Sequence, residues 1–179
     1  MLIYVGADHR GFQLKETVKR VLADAGYPVV DLGSAAYDEG ADYPDLARRV
    51  AGKVSGDLEQ ARGVLICGSG AGVAITANKF VNVRAAVAMT PDHAFDLKND
   101  DDVNVLCLAA SYIEPDVAKK IVITWLQTPP GGDERFHRRI ERISMIEEEL
   151  RQEVREEALA DIRQRRELGL GDEEVKDVL

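Results

Sequence analysis

The sequence predicts an α/β protein: a three-layer α/β/α, Rossmann-like domain on a five-stranded parallel sheet, followed by a long C-terminal helix. Three observations predict it. Short apolar runs rich in Val, Ile and Leu alternate with longer stretches of helical periodicity, as in repeated βα units. The strand-like runs are apolar throughout, which suits strands covered on both faces. A glycine-rich turn, Cys67-Gly68-Ser69-Gly70-Ala71-Gly72, joins one such strand to a helix.

The elements follow in order. Leu2 to Gly6 is a short apolar strand. Phe12 to Ala25 has helical spacing, with Leu14, Val18, Val21 and Leu22 on one face, and Gly26 ends it as a C′ residue. Pro28 to Leu32 reads as a second strand, and Gly33 to Asp42 as a polar loop. Tyr43 to Val54 is helical, with Leu46, Ala47 and Val50 inward. Gly63 to Cys67 is strand three and Val73 to Phe80 helix three. Arg84 to Met89 is strand four, and Pro91 to Lys98 a short helix with Pro91 at N1. Val103 to Ala109 is strand five, and Glu114 to Leu126 the helix after it. Pro129-Pro130-Gly131-Gly132 breaks the pattern. From Arg135 to about Glu167 runs one charged helix, with Ile140, Ile143, Ile146, Leu150 and Val154 as an amphipathic stripe suited to packing. Gly169-Leu170-Gly171 is expected to end it.

Bulk properties narrow the function. A chain of 179 residues suits one domain with a short appendage. The net charge of -9 argues against a nucleic-acid surface, so no nucleic-acid partner is expected. No apolar run is long enough to span a bilayer, and the N-terminus enters a strand without a basic n-region, so neither membrane association nor a signal peptide is expected. Two cysteines, Cys67 and Cys107, fit a reducing, cytoplasmic setting. Cys107 lies within the last strand and reads as core. The three histidines, His9, His93 and His137, are scattered, so no metal is expected.

In parallel sheets of this kind, sites form outside the carboxyl ends of the strands. That places Asp8, His9, Cys67 and the segments after Met89 and Ala109 around one rim. Cys67 ends its strand directly before a turn whose free amides open onto a helix N-terminus, a place where anions bind. A thiolate there can serve as a base near neutral pH, and the turn amides can hold a developing oxyanion.

Six motifs now fall in one order and spacing: Gly6-Ala7-Asp8-His9-Arg10-Gly11-Phe12, Asp42-Tyr43-Pro44-Asp45, the Cys67 to Gly72 turn, Ala77-Asn78-Lys79, Asn104-Val105-Leu106, and Arg135 to Arg139. In these the chain resembles the type B ribose-5-phosphate isomerases and their galactose-6-phosphate isomerase relatives, over roughly residues 1 to 148. The resemblance implies a sugar-phosphate isomerase domain over 1–148 and a helical extension over 149–179. It implies an aldose–ketose isomerase without cofactor, with ribose 5-phosphate as the default substrate. It further implies homodimers or homotetramers with sites at a subunit interface.

By the same resemblance, Cys67 is the catalytic base. Ser69, with Gly68, Gly70 and Gly72, forms the loop that holds the enediolate. Asp8 and His9 contact the sugar, Tyr43 stands at the rim, and Arg135 and Arg139 bind phosphate. Three positions depart from the pattern. The His-Asn pair before the last strand is matched by Asp100 and Asp101, so the usual ring-opening histidine is replaced. Asp100 is the candidate for its role, with Asp101 beside it. His93 lies seven residues before Asp100, on the same face of a continuous helix. A phosphate-binding arginine after strand five is matched by Ser111, and the histidine after Arg135 by Phe136, with His137 next. Alternatives are an isomerase of a hexose or tetrose phosphate, a non-catalytic subunit, or a nucleotide-binding module. The last is disfavoured because the glycine turn lies on strand three and not on the first strand.

Overall fold

The structure, a computed structural model, describes residues 1–167; the expected helix end at Gly169-Leu170-Gly171 lies outside them. The chain forms two units, Met1–His137 and the part from Arg138 onward. Strands and helices alternate: β1 (Leu2–Ala7), α1 (Phe12–Asp24), β2 (Val29–Asp31), α2 (Tyr43–Gly56), β3 (Ala61–Cys67), α3 (Ala71–Ala77), β4 (Ala85–Ala88), α4 (Pro91–Asp101), β5 (Val105–Ala109), α5 (Pro115–Gln127) and α6 (Glu134–Glu167).

All pairings are parallel and the strand order is β2-β1-β3-β5-β4. Strand five therefore lies between strands three and four. Side-chain alternation divides the core into two layers. Val64, Ile66, Leu106 and Leu108 face α1, α4 and α5, with Leu14, Val18, Leu22, Ala94, Ile121 and Trp125. Leu65, Cys67, Val105 and Cys107 face α2 and α3, with Ala47, Val50, Val54, Val73 and Ala77. The predicted three-layer, five-stranded parallel architecture is thus observed, as is the long C-terminal helix.

Local rules set the ends of the elements. Gly26 takes φ +82 after α1; its N–H bonds Ala23 O, and Tyr27 N–H bonds Leu22 O. This is the Schellman cap that its place in the sequence predicts. Among the boundaries that differ from expectation, those of helices three and four bear on the site. Helix three starts at Ala71 because Gly70 takes the left-handed conformation, φ +74, and launches the helix directly. It stops at Ala77, because the Asn78 amide clasps both backbone groups of Ala85, each at 2.8 Å. Helix four runs on past Lys98 to Asp101, so Asp100 and Asp101 lie in its last turn. Asp102 follows as a left-handed cap, φ 44, its carboxylate bound by Arg84 and Lys98. In the second unit, Ile143, Ile146, Leu150 and Val154 of the stripe are exposed.

Candidate active site

Three neighbouring strands end together. Ala7 pairs with Ile66, and Cys67 with Ala109, so β1, β3 and β5 finish level. Each then leaves the sheet carrying polar residues: Asp8-His9-Arg10, Gly68-Ser69-Gly70, and Ala110-Ser111-Tyr112. The strand order makes these three segments adjacent, although they are far apart in sequence.

Cys67 is 4% exposed, and the Gly70 N–H points at its sulfur, 3.2 Å away. Negative charge on that sulfur would meet a donor already in place. Cys107 shares this face of the sheet but is fully enclosed; burial first, and Cys67 nearby second, push its thiol up, and it stays a protonated core residue. Ser69 is exposed, its hydroxyl accepting from the Ala71 N–H at 3.4 Å.

Asp8 is buried; its carboxylate accepts from the Gly11 N–H at 2.9 Å, and its own N–H donates to Ile66 O at 3.2 Å. Gly11 is needed for this docking, since a Cβ there would come within 2.6 Å of Ile66 O. His9 is half-buried, and its Nδ1 is buried with no hydrogen-bond partner among the described residues. Such an orphan costs about 1–3 kcal/mol and calls for a reason. The Tyr43 ring lies against Gly72, where a Cβ would fall 2.7 Å from it. The rim thus brings together Asp8, His9, Tyr43, Cys67, Gly68, Ser69, Gly70 and Gly72.

The other predicted residues are elsewhere in this chain. Helix four runs back from the carboxyl end of β4 to the amino end of β5, about 16 Å at 1.5 Å per residue. Asp100 and Asp101 therefore stand at the opposite edge of the sheet from Cys67. Asp100 accepts from the Asn99 amide at 2.7 Å; Asp101 is exposed. The segment before α6 docks at the same edge, with Gly131 N–H on Asn99 O and the Phe136 ring against Gly131. Arg135 is held there by Asp133 through contacts of 2.6–3.1 Å. Asp133 first, and Asp100 more weakly, strengthen its hold on the proton. Arg139 is exposed in the second unit. His93 starts α4 on the rim side, about 10 Å along the helix from Asp100, which puts the two out of reach of one proton. A cavity of about 200 Å³ opens at the amino edge, lined by Arg62, Lys98 and Trp125; it does not touch Cys67.

Two features escaped sequence reasoning. Lys15, fully buried, bonds Asp31 and Ser34 O, both at 2.8 Å, and lies 5.0 Å from the Phe12 ring centroid. It pins the loop after β2 beside the end of β1. The second is Arg10, whose guanidinium lies on Gly68 and donates to the Ser111 hydroxyl at 2.9 Å. A lysine at an inward helical position was a signal for the first; nothing local announces the second. Among the described residues, no three His, Cys, Asp or Glu side chains gather in a way that could hold a metal ion. No described helix is long and apolar enough to cross a membrane.

A Rossmann-like sheet with a thiol, an imidazole and a carboxylate at the ends of adjacent strands defines an enzyme-type site at the carboxyl rim. The chain belongs to the Ribose/Galactose Isomerase family, whose profile matches residues 3–143. It is 39% identical over 146 residues to ribose-5-phosphate isomerase B of Escherichia coli (strain K12), covering 82% of this chain and 96% of that protein. The crystal structure of ribose-5-phosphate isomerase B from Mycoplasma genitalium with bound ribulose-5-phosphate superposes with a TM-score of 0.80 at 37% identity, covering 83% of this chain and 97% of that one. Relatives with other names also match: D-erythrulose-4-phosphate isomerase of Pectobacterium atrosepticum, at 34% identity over 73% of this chain and 85% of that protein, and 4-deoxy-4-sulfo-D-erythrose isomerase of Clostridium sp., at 36% over 72% and 80%. The expectation of a sugar-phosphate isomerase-type enzyme is borne out.

Proposed function

We propose that this chain interconverts ribose 5-phosphate and ribulose 5-phosphate through an enediolate, with Cys67 as the base. The observation that carries this is the buried Cys67 sulfur facing the Gly70 amide at the end of β3. In the proposed reaction the Cys67 thiolate takes the proton from C2 of the open-chain aldose. The electron pair moves into the C1–C2 bond, and charge collects on the carbonyl oxygen. Ser69 and the turn amides hold that oxygen. The proton then returns to C1, and the hydroxyl proton moves between the two oxygens, giving the ketose. Asp8 and His9 hold the sugar; a substrate hydroxyl at His9 Nδ1 would complete that orphaned atom.

A site assembled from two subunits fits the geometry. Asp100, Asp101 and Arg135 lie at the opposite sheet edge from Cys67 of their own chain, so a second copy would have to bring them. This supports a homodimer or homotetramer with interfacial sites, in which Asp100 assists ring opening and Arg135 and Arg139 hold phosphate. Arg135 would then exchange Asp133 for the substrate. The isomerase domain is taken as 1–148, the extension as 149–179, and the setting as cytoplasmic.

A second reading is a tetrose phosphate. Its favouring observation is Asp100 in place of the ring-opening histidine: a four-carbon sugar phosphorylated at O4 has no furanose ring to open. The deciding assay offers ribose 5-phosphate and erythrose 4-phosphate, metal-free, to wild type and Cys67→Ala. Turnover of ribose 5-phosphate that vanishes in the variant is expected. Turnover of the tetrose alone selects the second reading, and a fully active Cys67→Ala removes the thiol from the mechanism.

A further inference from the structure

We infer that Arg10 is a substrate-binding residue whose guanidinium receives the phosphate end of the sugar beside the Cys67 turn. The inference rests on the sugar-phosphate reading above. The guanidinium lies flat on Gly68, one residue from Cys67: a Cβ there would fall 2.7 Å from Cζ, 2.8 Å from Nε and 2.9 Å from Nη1. Only a glycine leaves room for it. Its Nη2 donates to the Ser111 hydroxyl at 2.9 Å, and the Ser111 N–H donates to Gly68 O at 2.9 Å. Arg10 therefore ties together the three segments that leave β1, β3 and β5.

Its charge is unmatched. Among the described residues no carboxylate pairs with Arg10, and the side chain is exposed. Arg84, Arg135 and Arg142 have acid partners, and Arg20, Arg49 and Arg62 bond backbone carbonyls; Arg10 differs from both sets in meeting a side-chain hydroxyl at the carboxyl rim. The neutral hydroxyl takes one of the two Nη2 protons; among the described residues no other group bonds the guanidinium, so one edge of the fork, Nη2 with Nε or with Nη1, keeps two parallel N–H donors. That is a preset receptor for two oxygens of a phosphate. A dianionic substrate also needs local positive charge on a chain whose net charge is -9.

The rival role is a strut that merely shapes the turn. Arg10→Gln and Arg10→Lys separate the two, read by calorimetric titration with inorganic phosphate and by steady-state kinetics on ribose 5-phosphate. We expect Arg10→Gln to weaken phosphate binding and raise KM at least about tenfold, with kcat within about threefold, and Arg10→Lys to fall between. A lower kcat with phosphate affinity and KM unchanged identifies a strut and overturns the inference. If wild type turns over no ribose 5-phosphate, that reading fails separately and the titration alone decides. A tenfold loss in Arg10→Gln then keeps Arg10 as the receptor for another phosphorylated sugar. Phosphate affinity that is absent in wild type, or equal in both proteins, overturns it.

Discussion

At the amino edge of β4 and β5, Asn104 accepts from the Arg84 N–H and donates to Asn82 O, each at 2.8 Å. Arg84 and Lys98 share the Asp102 carboxylate, and the Trp125 indole donates to Val103 O at 2.8 Å. At the carboxyl rim the same kinds of group are left open: among the described residues the His9 Nδ1 has no partner, Arg10 has no acid, and the Ser69 hydroxyl meets one long N–H contact. One edge completes its polar groups within the chain; the other holds groups that a ligand could complete. Buried polar groups are normally satisfied, and the one buried exception among the described residues, His9 Nδ1, lies at this rim beside the exposed Arg10 and Ser69, as suits a binding end of the sheet.

Substitutions can break this contrast, and the largest effect is expected at the thiol. Cys67→Ala is expected to lower kcat by about 10³-fold, near 4 kcal/mol of barrier, with a melting temperature within a few degrees of wild type. An equal loss of stability would make Cys67 a packing residue like Cys107. Asp31→Ala leaves the buried Lys15 charge with only the longer Glu16 ion pair, 3.7 Å, and is expected to cost about 3 kcal/mol in denaturant unfolding. It also tests acid stability. Burial pushes the Asp31 carboxyl up, but hydrogen bonds from Lys15, Lys19 and the Gly33 amide outweigh this and hold it below its ordinary value. Its contribution is complete above the unfolded carboxylate pKa and is lost as pH falls through the folded one. The wild-type stability curve is therefore expected to fall more steeply than that of Asp31→Ala below about pH 4.

Asn104→Ala removes the bonds to the Asn82 carbonyl and from the Arg84 N–H, and about 2 kcal/mol of stability is expected to go, with kcat per folded molecule unchanged. His9→Leu is expected to cost no stability and to recover up to about 1–3 kcal/mol, because it removes the unpartnered Nδ1, while kcat/KM falls at least about tenfold. A large stability loss there would mean that His9 is structural and the two edges differ less than they look.

The sequence made most of the elements legible because their causes are local. Continuous apolar runs marked the buried strands, Gly26 marked the end of α1, and Pro91 and Pro115 fall at the first turns of their helices. The thiol and its turn were legible for the same reason. Strand order was not, because the insertion of β5 between β3 and β4 depends on pairings across dozens of residues. That order alone brings Ser111 beside Gly68. The reach of Arg10 to both is a matter of side-chain direction, which spacing does not encode. Likewise the length of α4 decided where Asp100 stands: one extra turn carried it to the edge away from Cys67.

The strand order also has a consequence for synthesis. Among the described residues strand four pairs only with strand five, and strand five lies later in the chain. While the ribosome is still making α4, the β2-β1-β3 portion can already pair, but β4 has no neighbour to receive its backbone groups. The thiol-bearing strand likewise has one side open until residues 105–109 have left the exit tunnel and slotted between their neighbours. Assembly of the rim is therefore one of the last events in the making of the sheet, and protease resistance around β4 is expected to arise only in nascent chains long enough to have released β5.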